Sequence, residues 1–250
     1  MRLAAILEYD GSAFCGWQYQ EHVRTVQDEV EKAISSVANG PVRVITAGRT
    51  DTGVHATGQV IHFDVDVSRT NNSWLRGINS NLPADVAVHW VNQVAEDFHA
   101  RFDATGRHYH YVILNRRVRP TFLAKKVSWD YRDLDIKRMQ AAASYLEGEH
   151  DFSSFRAVAC QAKSPVRELR HLKVTARGDY IDIHVYANAF LHHMVRNLAG
   201  LLMTIGAGER EPEWAESVLS ARDRTQGGLT APPDGLYLTA VEYPKNSAIP

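Results

Sequence analysis

Apolar and polar positions along this chain recur in two successive sets of elements. Arg2 to Tyr9 reads as a strand. Thr25 with Asp28 has the form of a capping pair, and Val26, Val30, Ala33, Ile34 and Val37 then fall on one helical stripe that Gly40 is expected to end. Val42 to Ile45 and Gly58 to Val67 read as strands on either side of a loop. A helix over Asn72 to Leu82, carrying Trp74, Leu75 and Ile78, and a strand over Val86 to Val94 complete the order β-α-β-β-α-β.

The same order recurs with little sequence similarity. Gly106 to Asn115 alternates as a strand, Asp135 to Leu146 places Ile136, Met139 and Leu146 on a helical face, and Val166 to Ala176 pairs with Tyr180 to Ala189 across Gly178-Asp179. Phe190 to Ile205 is predicted to be an apolar helix, with His193 and Arg196 away from its hydrophobic stripe. Pro212 to Ala221 adds a short helix, and Leu236 to Tyr243 a last strand. The pattern predicts an α+β protein of two ferredoxin-like βαββαβ halves, residues 1–104 and 105–250, with adjoining, mainly antiparallel sheets and a central cleft.

Composition narrows the class. At 250 residues, 44% of them hydrophobic and 23% charged, the chain has ample material for a packed core. Cys15 and Cys160 have no paired spacing, so a disulfide framework and a cysteine zinc site are both disfavoured, and both are read as free thiols. The first residues carry only Arg2 and a short apolar run without a cleavage site, and no apolar run reaches membrane-spanning length. A cytoplasmic protein with no membrane partner is the expectation.

Net charge is −1, yet the charges are segregated. Arg101 to Lys126 holds seven basic residues, including Arg107, against one acid; Arg156 to Arg177 holds six, including Arg167, against one. Two such segments can converge on a polyanion-binding surface. The stretch from Asp10 to Arg24 adds Phe14, Trp17, Gln18, Tyr19, Gln20 and His22, which can stack on or hydrogen-bond a base, or else fold the loop onto the body of the protein.

The stretch that organises the chemistry is Gly48-Arg-Thr-Asp-Thr-Gly-Val-His-Ala56. It holds the carboxylate of Asp51 between two glycines, with the cation of Arg49 two residues before it, on a loop between strands. A rigid sheet presenting one carboxylate at its rim suits a nucleophile or base, although Asp beside Gly also caps ordinary turns. His108 with His110, and His192 with His193, lack a companion Cys or carboxylate spacing that would make a metal site, so no metal is expected. Gly227-Gly228 and Gly206-Ala-Gly208 are not placed as a nucleotide fingerprint and read as turns.

Four blocks together, Gly48 to Ala56, Tyr9-Asp-Gly-Ser-Ala-Phe-Cys-Gly-Trp-Gln18, Arg101 to Tyr111 and Phe190 to Gly200 with Met194-Val-Arg-Asn197, resemble the tRNA pseudouridine synthase A family in order and over nearly the full chain. The resemblance implies a cofactor-free isomerisation of uridine to pseudouridine in the anticodon stem-loop of tRNA, at expected positions 38, 39 and 40, by a homodimer. It makes Asp51 the nucleophile and Arg196 the cation that keeps that carboxylate ionised. It gives Tyr109 the task of stacking on the target base, Arg49 that of filling the space an extruded uridine leaves, and Leu236 a place in an apolar wall that excludes water. The carboxylate could attack the ribose, attack the base or remove a sugar proton. Two other classes compete on the residues alone: a non-catalytic RNA-binding protein of two RRM-like domains, and an Asp-dependent enzyme acting on a small phosphate or acyl substrate.

Overall fold

The structure is a computed structural model that describes residues 1–250. In chain order it contains β1 (Arg2–Tyr9), α1 (Val26–Ala38), β2 (Ile45–Thr46), β3 (His55–Asp64), α2 (Asn71–Asn81), β4 (Val86–Gln93), β5 (Gly106–Asn115) and β6 (Ser128–Asp130). There follow α3 (Ile136–Ser144), β7 (Gly148–Asp151), β8 (Val166–Arg177), β9 (Tyr180–Ala187), α4 (Met194–Gly206), α5 (Trp214–Ala221) and β10 (Leu236–Glu242). The α+β class and the mainly antiparallel pairing expected from the pattern are both present. No helix is long and apolar enough to cross a membrane. The chain divides into two compact units, Met1–Thr105 with Tyr237–Pro250, and Gly106–Leu236.

In the first unit the strand order is β4-β1-β3-β10, with β2 paired to the other edge of β3 over two residues. β1 runs antiparallel to β3 and β4, whereas Tyr237 and Leu238 of β10 pair in parallel with His55 and Ala56. Close approach of these last strands needs Gly58, because a Cβ there would lie 2.2 Å from Thr239 O. The apolar stripes of α1 and α2 behave as amphipathic helices should: Val30, Ile34, Trp74 and Ile78 are buried, and Phe63 of β3 meets the Trp74 ring edge-on at 6.1 Å. Thr25 caps α1 through Asp28 N, as the capping pair predicts. The left-handed residue that ends α1 is Asn39, φ +57°, and not Gly40; Asn tolerates this conformation better than most side chains.

Two strand boundaries also differ from expectation for local reasons. Val42 and Val44 are buried, but Val42 N donates to Ser35 Oγ and Val44 N to Glu31 Oε1, so α1 side chains take the bonds a longer β2 would have used. β3 starts at His55 rather than Gly58, directly after the Asp51 loop.

In the second unit the order is β5-β9-β8-β7, all antiparallel, with β6 parallel to β5. The elements follow the repeated order as far as α4, with β6 and β7 added, whereas the last strand of the repeat, β10, falls in the first unit; β6 and β7 are too short and polar to show in a hydrophobic pattern. β7 pairs only with Val166–Leu169, and beyond it the exposed edge of β8 is capped by side chains: Glu147 accepts from Leu172 N and Gln140 from Val174 N, each at 2.7 Å. Met139, Leu198, Leu201, Leu202 and Ile205 form the buried seam of α3 and α4. α4 begins at Met194, four residues later than the apolar run suggests. His193 sits at φ +64°, which a right-handed helix cannot contain.

Candidate active site

The Asp51 loop is held from beneath by groups that lie far apart in sequence but within the first unit. The Tyr9 hydroxyl and Thr50 Oγ1 share a buried hydrogen bond of 2.7 Å. Gln59 Nε2 donates to Gly48 O at 2.7 Å and, more weakly, to the Tyr9 hydroxyl at 3.4 Å. Trp17 N donates to Thr50 O at 3.0 Å, and Val54 N turns back to Asp51 O at 3.1 Å. Burial pushes the Tyr9 hydroxyl up to about 12, so it is a neutral hydrogen-bonding group at neutral pH.

Three glycines let the backbone come this close. Gly53 lies at φ +81° within the loop. Gly16 lies at φ +83°, and a Cβ on it would sit 2.8 Å from Thr50 O; a Cβ on Gly11 would sit 2.0 Å from Val54 O. His55, buried, accepts from Gly11 N at 3.0 Å and stacks on Tyr237 with ring centres 4.6 Å apart. The strand β1 is also out of step with β3 between Leu7 and Tyr9, a bulge of the kind that re-aims side chains beside functional sites. The result is a carboxylate on a loop fixed at both ends. Asp51 itself is half-buried, and Arg49 is exposed and makes no ion pair.

Trp17 and Gln18 resolve the two uses open to the aromatic stretch. Trp17 is only 1% exposed, with its ring 6.0 Å from Tyr9; it is part of the support under the loop and offers no face for a base. Gln18 Nε2 donates to Gln27 Oε1 at 2.8 Å, and Gln27 in turn bonds Glu31, tying the stretch to α1. Trp17 therefore leaves the proposed RNA footprint, because packing against Tyr9 removes its surface from solvent.

In the second unit, strand alternation places Tyr109 on the face shared with buried Tyr111, opposite Val185 of β9, with its ring edge-on to Phe190 at 5.0 Å. His108 and His110 point the other way: His108 stacks on Tyr186 at 4.1 Å, and His110 Nε2 lies 2.7 Å from Asp182 Oδ1. Arg196, in the first turn of α4, is half-buried and clipped to the Ala231 segment from two sides. Its Nε donates to Ala231 O at 2.8 Å, and Ala231 N donates to Arg196 O at 3.1 Å. Gly200 makes this possible, since a Cβ there would overlap Leu229 O. Leu236 is buried, with its N–H turned back to Pro233 O.

The two basic segments do meet within this unit. Arg107 is in register with Ala187, which is also paired with Leu169, and Arg107 Nη1 donates to Asn188 O at 2.9 Å. Arg167 Nη1 donates to the carbonyls of Ser164 and Val166. Both guanidinium groups are half-buried and held by main-chain oxygens, and burial lowers the pKa of Arg167. Cys15 and Cys160 are free thiols.

Sequence reasoning did not single out Tyr9, Thr50, Gln59 or Gly16. One signal was available: Gln59 and His62 are set among Val60, Ile61 and Phe63, and polar residues buried at such positions need dedicated partners.

The family described as tRNA pseudouridine synthase matches residues 5–103 and 142–244. The chain is 58% identical over 250 residues to the tRNA pseudouridine synthase A of Nitrosococcus oceani, covering 100% of this chain and 96% of that protein. It is 54% identical to that of Coxiella burnetii over 249 residues, and 54% identical to that of Vibrio campbellii over 250 residues; each covers 100% of this chain and 95% of the relative. A chain of a Cbf5-Nop10-Gar1 complex is similar at 11% identity and a TM-score of 0.37, over 95% of this chain and 58% of that one, a likeness that carries no weight for function. A family match in two segments and full-length relatives at more than half identity place this chain in the tRNA pseudouridine synthase family.

Proposed function

We propose that the protein converts uridine to pseudouridine in the anticodon stem-loop of tRNA, with Asp51 as the essential carboxylate. The reaction breaks the bond between ribose C1′ and uracil N1, forms one between C1′ and uracil C5, releases the C5 hydrogen as a proton and protonates N1. Substrate and product are isomers, so the atoms balance without a co-reactant. The observation that supports Asp51 most directly is its loop, pinned through Thr50 to Tyr9 and to Trp17 N and closed by glycines. Such anchoring fixes a reacting group to the tolerance that catalysis requires.

The remaining roles are read from the family motifs. Arg196 supplies the positive charge that keeps the carboxylate ionised, and its double clip to Ala231 restricts where that charge can lie. Tyr109, edge-on to Phe190, offers a flat ring on which a uracil can turn after it leaves the sugar. Arg49, exposed and without an ion pair, is available to occupy the space a flipped-out uridine vacates. Leu236 contributes apolar surface that limits water. Arg107, Arg167 and Gln18 contact the RNA; the protein works as a cytoplasmic homodimer.

The test is release of tritium from unmodified tRNA labelled at uridine C5, with the modified positions then mapped on the product. Stoichiometric release confined to the anticodon stem-loop is expected. Tight binding without release would favour the non-catalytic RNA-binding reading, and release from other arms would contradict the assigned substrate site.

A further inference from the structure

Between the end of β5 and the start of β6 the chain passes through Arg116, Arg117, Arg119, Lys125 and Lys126 and meets no acidic residue. The same segment carries apolar groups that the fold leaves in water. Phe122 is 100% exposed and Val118 71%; within β6 Trp129 is 39% exposed, and directly after it Tyr131 is 64% exposed. A cluster of large exposed apolar side chains marks a surface that a partner covers. Its base is built: Trp129 Nε1 donates to Arg116 O at 2.7 Å, Arg116 Nε to Val118 O at 2.9 Å, and the Trp129 and Tyr131 rings lie 6.0 Å apart. Two consecutive turns, Ala124 N to Thr121 O and Lys126 N to Leu123 O, shape the stretch that carries Phe122.

Charge selects the partner. The whole chain balances at −1, yet this stretch holds five cations and no acid, and Arg117 and Arg119 are exposed without ion pairs. A second copy docking here through a two-fold axis would bring like charges together, whereas a nucleic acid supplies phosphates for the cations and base faces for the rings. Position along β5 indicates which part of an RNA is met. Tyr109 and Asn115 lie on the same strand, six residues apart, which is about 20 Å at the rise of a β-strand. The loop therefore starts well away from the residue assigned to the reacting base.

We infer that the Arg116–Lys126 loop, with Trp129 and Tyr131 beside it, is a second RNA-contact surface that grips tRNA outside the stem-loop undergoing reaction. This rests on the tRNA substrate proposed above. The experiment compares wild type, the double variant Arg117→Glu with Arg119→Glu, and Phe122→Ser on intact tRNA and on an isolated anticodon stem-loop. It measures filter-binding affinity as a function of salt, tritium release and sedimentation.

The double variant should bind intact tRNA about tenfold or more weakly, with a salt slope shallower by about one for each phosphate no longer neutralised, and should bind the stem-loop as wild type does. Phe122→Ser should weaken intact tRNA several-fold with its salt slope kept. Equal weakening on both RNAs, or none on either, would overturn the inference. So would a changed sedimentation mass, which would show that the surface covers another copy of the chain. Absence of tritium release by wild type would instead refute the synthase reading, and the binding arms would still decide whether this loop holds RNA.

Discussion

Replacing Tyr9 by Phe removes one oxygen from the support of the Asp51 loop and leaves the ring packed against Trp17. The bond to Thr50 Oγ1 that this deletes is short, at 2.7 Å, and buried, while the 3.4 Å approach of Gln59 is marginal. Thr50 is itself buried, so its hydroxyl is left without a partner and solvent cannot supply one; that situation costs about 1–3 kcal/mol. With a urea m-value of about 3 kcal/mol/M, the unfolding midpoint should fall by roughly 0.3–1 M. Thr50 immediately precedes Asp51, and a misplacement of about 1 Å at a reacting group can cost 10²-fold, so turnover should fall by about ten- to a hundredfold with KM for tRNA little changed. Urea unfolding followed by circular dichroism and steady-state tritium release read the two effects separately. A lower midpoint with undiminished turnover would show that the Thr50 anchor does not position Asp51. An unchanged midpoint would refute the assignment of the buried bond itself.

Other consequences are as specific. Gly16→Ala should cost about 1–2 kcal/mol for its left-handed backbone alone and push on Thr50 O, lowering both Tm and turnover; calorimetry showing an unchanged Tm would contradict the close approach. Burial, with the charges of Arg2 and His99 adding to it, pulls the buried His62 from 6.5 down to about 4. The unfolded chain therefore takes up the proton first: the stability due to neutral His62 is complete above pH 6.5 and is lost as pH falls through about 4, and His62→Gln should flatten stability against pH across that window. Replacing Arg107 or Arg167 by Gln should weaken tRNA binding and make its salt dependence shallower with circular dichroism unchanged; an unaltered salt slope for both would remove them from the RNA footprint.

What could be read from the sequence was local or periodic. β5 keeps its expected bounds because it alternates cleanly, and Thr25 caps α1 because the capping pair is a four-residue signal. The limits were tertiary. The pattern of Val42 and Val44 predicts strand, but Ser35 and Glu31 of α1 claim their N–H groups. An apolar run from Phe190 predicts helix, but the left-handed His193 delays it to Met194. Trp17 could equally have served a base or the core, and only packing decides. For the site, the glycines around Asp51 announced a constrained loop, whereas the Tyr9, Thr50 and Gln59 network joins positions 41 and 50 residues apart that no local motif connects.

The most direct test is Asp51→Asn, which keeps the shape of the side chain and removes its charge and nucleophilicity. Single-turnover tritium release and tRNA affinity should be measured on the same preparation. Release should fall to background while the affinity for tRNA stays within a few-fold of wild type. Release at a rate near that of wild type would contradict the claim that this carboxylate does the chemistry.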